Sequence, residues 1–253
     1  MGSLISAGGI LVDADKALAL SNAIDECCKD AGFPDGEEFK WSPGRELWMR
    51  TELLSGKRVN FFESVLTAAA EHEVTAIIVI EDTGCMKAMQ SSPDHEFDTL
   101  ILLLERVAQC FSVEGGIFVV DLPGSPKDEF AAKCKQLFNE GTQYVDFEKF
   151  VLPVTTLASR LVRLLQLADV VTSCTTSFVS GEDLWSPQTF RHILPLIRSE
   201  WDRKGGCGLK LHPDMRYVNL YHWLLEDKFF TRRGMGCPLP IAERKYAKDA
   251  LTP

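Results

Sequence analysis

The chain has 253 residues, enough for one large domain, and its 45% hydrophobic and 25% charged content suits a protein with a substantial core. A net charge of −9 argues against a protein that coats nucleic acid without selectivity. The longest apolar runs, "TAIIVI" and "TLILLLE", are too short to cross a bilayer, and "MGSLISAGGILV" lacks the basic start of a secretory signal.

Residues 4–12, "LISAGGILV", predict a strand, and 13–31 predict a helix with Ala17, Leu20, Ala23, Ile24 and Cys27 at helical spacing. A loop rich in Gly, Pro and charge, "GFPDGEEFKWSPGRE", follows. Asn60 is the predicted N-cap of a second helix through "FFESVLTAAAEH". "VTAIIVI" predicts a buried strand, "FDTLILLLERVAQCF" a helix and "GGIFVV" a short strand. Ser125-Pro126 carries helix-start chemistry, with a cap residue followed by proline at the first helical position. "YVDFEKFVLPV" alternates as a half-buried strand does, and Thr155 or Thr156 is the expected cap of the helix containing "LVRLLQLADVV". A last helix is expected over 188–203, followed by a Gly-rich, aromatic tail. Alternating strands and helices predict an α/β layer architecture, with functional side chains beyond the carboxyl ends of strands. Asp121, straight after "GIFVV", holds such a position, and so do Glu81 and Asp82 after "AIIVI".

The eight cysteines, Cys27, Cys28, Cys85, Cys110, Cys134, Cys174, Cys207 and Cys237, are scattered, and none form a C-x-x-C pair. They read as buried, reduced thiols of a cytoplasmic protein rather than as zinc ligands. From Ser186 to Pro253 twelve Lys and Arg stand against seven Asp and Glu, a balance of +5 that leaves residues 1–185 at −14. The expected organisation is therefore an acidic body, 1–185, with a basic C-terminal extension, 186–253, packed on it.

No phosphate loop, dinucleotide fingerprint or nucleophile elbow occurs, and the five histidines, His72, His95, His192, His212 and His222, show no ligand spacing. Carboxylates remain. Mg²⁺ and Mn²⁺ take oxygen ligands, and a pair of such ions holds the attacking and leaving oxygens of a phosphodiester displacement. Glu38 in "EEFKW", Asp121 on a strand end and Asp169 on a helix are candidate ligands. Each also has a plain structural reading. Asp121 precedes Leu-Pro-Gly, where aspartate commonly accepts turn hydrogen bonds, and Glu38 lies in a charged loop. Arg163, Gln166, Asp169, Ser173 and Thr176 fall in one sector, as on the wet face of an amphipathic helix.

"SAGGILVDADKA", "EEFKWS", "IFVVD" and "LLQLADVV", in this order, and the later "GLKLHPD" and "NLYHWLL" resemble the bacterial family known as domain of unknown function 3800, over nearly the whole chain. The resemblance implies a ribonuclease H-like fold, a mixed five-stranded sheet with helices on both faces. It also implies a metal-dependent nuclease linked to mobile elements or phage defence. On that footing Glu38, Asp121 and Asp169 are catalytic ligands of Mg²⁺ or Mn²⁺, Lys40 orients phosphate, and Gln166 supports the ligands. Members of the family usually open with a strand ending in Asp-Glu-Ser-Gly, which is absent here. The resemblance therefore implies a truncated or misassigned start, and a site that, as written, lacks its central carboxylate and with it either strong metal binding or activity altogether. The alternative is a non-catalytic nucleic-acid-binding or regulatory module on the same fold. It would use the basic C-terminal region, Arg232 and Arg233 included, with no membrane partner.

Overall fold

The computed structural model describes residues 4–83, 94–111, 115–121, 127–152, 154–182, 184–212, 221, 224 and 225. The chain is mixed α/β, a small mixed sheet with flanking helices. β1 (Leu4–Leu11) leads into α1 (Ala14–Asp30), which buries Leu20, Ile24 and Cys28, one stripe at four-residue spacing. After the irregular segment 37–41 come a short α2 (Trp48–Glu52) and α3 (Gly56–Glu71). Asn60 lies inside α3 rather than capping it, because burial of Phe61, Phe62, Val65, Leu66 and Ala69 holds a helix that begins a turn earlier.

β2 (Thr75–Asp82) is followed by α4 (His95–Ala108), whose N-cap Asp94 accepts a hydrogen bond from Phe97 N at 3.1 Å. β3 (Val119–Asp121) and α5 (Lys127–Glu140) come next. The Ser125-Pro126 start lies outside the described residues. At its described residues the predicted strand 144–154 is instead turn and loop, joined to Gly116 by a bridge at Phe150, and Pro153 lies outside the described residues. Its apolar side chains Phe147 and Phe150 pack as an aromatic cluster with Phe111, Phe118 and Phe138 rather than as a ladder.

Thr155 and Thr156 belong to β4 (Thr155–Leu157), paired in parallel with β3, so neither caps a helix. A 3₁₀ turn (Ser159–Leu161) leads to α6 (Arg163–Val179), which starts after Val162 without a side-chain cap. α7 spans only Ser186–Ile193, not the predicted 188–203. Pro195 lacks the N–H that another turn would need. The chain turns there into a bridge with β2: Ala76 N donates to Leu196 O at 2.8 Å and Arg198 N to Ala76 O at 3.0 Å.

The first sheet has the order β1-β2-β5, where β5 (Leu209–His212) is a strand the sequence reading left in the irregular tail. β1 pairs antiparallel with β2 from Leu4 opposite Asp82 to Leu11 opposite Thr75, and β5 pairs with β2 in parallel. β3 and β4 form a separate sheet, so the described strands make two sheets rather than the single five-stranded one that the resemblance implies. Ala76, Ile78 and Ile80 face a core with α1, α3, α6 and α7, while Ile77 and Val79 face α4 and α5. No described helix is long and apolar enough to cross a membrane.

β1 can lie close to α6 because Gly8 has no side chain. A Cβ there would meet Thr172, with Cγ2 only 2.9 Å away. Gly8→Ala should cost about 1–3 kcal/mol in urea denaturation. Combining it with Thr172→Ala should restore most of that loss, since the two substitutions share one space.

Candidate metal centre

Alternation along β2 delivers a carboxylate into an apolar layer. Ile77 and Val79 pack against α4, and Glu81, two residues on, points to the same side. The first turn of α4 answers with His95 and Asp98, three residues apart and thus on one helical face. Glu81 Oε1 lies 2.6 Å from His95 Nδ1. One ligand atom from each of Glu81, His95 and Asp98 falls within 4.8 Å of the others.

Glu81 is 0% exposed, and its Oε2 has no hydrogen-bond partner among the described residues. Burial pushes its carboxyl above the usual range, against the opposing pull of the His95 hydrogen bond. A buried acceptor left without a donor costs about 1–3 kcal/mol. A divalent cation between the three side chains would meet that lone pair and displace the proton held between Glu81 and His95. The α4 turn is held in place for this. Asp94 caps it and pairs with Lys133 Nζ of α5 at 2.5 Å, and Lys133 also meets Glu129 at 2.9 Å. One nitrogen and two carboxylates suit Mn²⁺, Fe²⁺ or Zn²⁺ better than the all-oxygen preference of Mg²⁺. Three protein donors leave positions for water or substrate.

The residues singled out in the sequence occupy another part of the fold. Glu38, Asp121 and Asp169 do not form a comparable ligand group among the described residues. Asp121 and Asp169 instead accept hydrogen bonds around α6. Asp121 Oδ1 accepts from Ser159 N at 2.9 Å, and Gln166 Nε2 donates to Ser159 O at 2.9 Å. Gln166 Oε1 accepts from Phe39 N at 3.3 Å and from Arg163 Nη1 at 2.8 Å. Asp169 Oδ2 accepts from Trp41 N at 3.0 Å and its Oδ1 from Ser173 Oγ at 3.0 Å, while Trp41 Nε1 donates to Ser177 Oγ.

Gln166 and Asp169 thus fasten the irregular 37–41 segment to the helix. In the same segment Lys40 Nζ lies 3.5 Å from Glu38 Oε1, and Glu38 Oε2 is buried without a hydrogen-bond partner among the described residues. Arg163 braces the same segment, donating to Asp25 Oδ1 at 2.7 Å and to Glu37 O at 2.8 Å.

Sequence reasoning marked Glu81 by its place after an apolar strand but passed over His95 and Asp98. Their signal was present as His-x-x-Asp at the start of an amphipathic helix, the spacing that places two donors on one face.

Two outcomes follow from this geometry. Because folding raises the carboxyl of Glu81, its contribution to stability is fully present at acid pH and is lost as pH rises through the raised value. Glu81→Gln should therefore melt higher than the parent at pH 7 in EDTA, with the gap closing towards pH 4. The same variant should lose the stabilisation that Mn²⁺ gives the parent, about 2.7 kcal/mol at an ion concentration a hundredfold above Kd. Thermal melts across pH, with and without the ion, measure both. Gln166→Ala strands Phe39 N and Ser159 O inside the protein and should cost about 1–3 kcal/mol in urea denaturation, with or without metal. Comparison of the chain with protein-family models, with curated proteins and with solved structures finds no match.

Proposed function

We propose that the protein is a divalent-metal-dependent, nuclease-like hydrolase of phosphodiester bonds, with its ion held by Glu81, His95 and Asp98. The observation carrying this reading is the fully buried Glu81 carboxylate, one oxygen on His95 and the other without a donor among the described residues, beside a second carboxylate. An ion with open positions lowers the pKa of bound water towards neutrality and polarises a phosphoryl oxygen, which is what in-line hydrolysis requires. The family resemblance supplies the substrate class. The balance of +5 over 186–253 supports attraction of a polyanion to a chain that is acidic elsewhere. Mn²⁺ is the expected ion over Mg²⁺, because one donor is an imidazole. On the resemblance alone, Glu38, Asp121 and Asp169 form a second proposed carboxylate set, with Lys40 as its phosphate-orienting cation and Gln166 as its support.

The test is cleavage of labelled RNA, DNA and hybrid by the EDTA-treated chain reloaded with Mn²⁺ or Mg²⁺. Cleavage should require the ion and be faster with Mn²⁺. It should fall at least about 100-fold in His95→Ala and Asp98→Asn, beyond the 10–100-fold typical of outer-shell changes. Loss of cleavage in Asp169→Asn with Asp98→Asn unaffected would move the chemistry to the α6 side. Metal-independent nucleic-acid binding without cleavage, abolished by neutralising Arg232 and Arg233, would identify a non-catalytic module instead.

A further inference from the structure

The parallel pairing of β2 with β5 sets Glu81 directly opposite His212. In the same register Ile78 and Ile80 stand opposite Leu209 and Leu211, and all four belong to the core on the α6 side of the sheet. Side-chain alternation therefore turns Glu81 and His212 together to the opposite face, the one that α4 covers. Neighbouring strands lie about 4.8 Å apart, so the two side chains leave the sheet next to each other.

The course of α4 reinforces this placement. Its last turn is tied to the approach to β5, with Arg106 Nε donating to Gly206 O at 3.0 Å and Arg106 O accepting from Arg198 Nη1 at 3.3 Å. Its first turn brings His95 onto Glu81. The helix thus runs back along the β2–β5 pair, and the end carrying His95 and Asp98 is the end at which β5 presents His212. The Nδ1 atom of His212 is shielded from solvent, as a ligand atom within a centre would be.

We infer that His212 is the fourth donor of the metal centre, making it a site of two histidines and two carboxylates built from β2, α4 and β5. The inference rests on the reading that Glu81, His95 and Asp98 hold an ion. The imidazole of His212 stands outside the 4.8 Å group of three, so its ligation involves a change of rotamer at the last residue of β5. Two imidazoles move the preference further from Mg²⁺ and towards Zn²⁺, Co²⁺ and Mn²⁺. The ion would also join the two strands to the helix, so its binding would stabilise the fold.

Co²⁺ is the probe, because its visible bands report the number and kind of donors. The metal-stripped full chain, titrated with Co²⁺, should bind one equivalent and develop ligand-field absorption that one equivalent of Zn²⁺ displaces and excess Mg²⁺ does not. His212→Ala should weaken Co²⁺ binding by about tenfold or more and shift the bands, while still binding one equivalent through the other three residues. His212→Gln, which keeps the size and polarity of the side chain, serves if the alanine variant does not fold. Melting in EDTA equal to the parent shows that the loss is one of ligation. Binding and spectrum unchanged in the His212 variants would overturn the fourth-donor assignment and leave the three-residue centre standing. No Co²⁺ binding by the parent would overturn both.

Discussion

The structure depends on β2 being buried on both faces and paired on both edges. Ala76 to Ile80 are at most 1% exposed, β1 and β5 take its backbone hydrogen bonds, and α4 and α6 lie against its two faces. Such a strand reads as a continuous apolar run, because neither parity of its side chains meets water. "TAIIVI" does so until Glu81, where the pattern breaks while the burial does not. A carboxylate at that position works against the packing that surrounds it. Hydrophobic burial along the rest of the strand is what holds it there.

That conflict is informative because the fold does little to relieve it. A purely structural carboxylate would have donors on both oxygens, as Asp169 has in Trp41 N of the crossing segment and Ser173 Oγ of α6. Among the described residues Glu81 receives a hydrogen bond from His95 alone, and it has Asp98 as a neighbour, a like charge that adds to the cost of ionisation. A site that raises the energy of its own carboxylate is poised to release it to a cation. If the group holds an ion, stability is traded for ligation, and the isosteric amide is then expected to be the more stable protein and the poorer binder.

Much of the architecture was legible in the chain. The stripes of α1 and α4, the double-sided burial of β2 and the strand at β1 follow from periodicity alone, because each buries a face large enough to dictate the local structure. The errors have physical causes. The aromatics of 144–154 cluster around one another instead of alternating across a sheet, and Pro195 ends α7 in a way that a count of apolar residues does not register. β5 is four residues long and owes its strand conformation to β2, so its own sequence has little to say. The candidate centre was half legible. Glu81 was visible as a strand-end acid, but its partners come from an element whose first turn had to be placed in space before His95 and Asp98 acquired meaning.

Separation of the two carboxylate sets follows from the same strand. Glu81 shares the parity of Ile77 and Val79 and faces α4, whereas the helix bearing Gln166 and Asp169 packs on the parity of Ile78 and Ile80. A single ion cannot be shared across an intervening sheet whose interior is closed to water. The hydrogen bonds along α6 therefore have to be explained by what they touch, which is the backbone of residues 39 and 41 and the turn at Ser159. A segment with little regular structure needs its N–H groups satisfied when it is laid on a helix, and Gln166 and Asp169 supply the acceptors. Gln166 and Asp169 thus hold the segment that crosses an otherwise apolar helix, whereas on the opposite face the Glu81 oxygen left without a donor among the described residues sits beside His95 and Asp98.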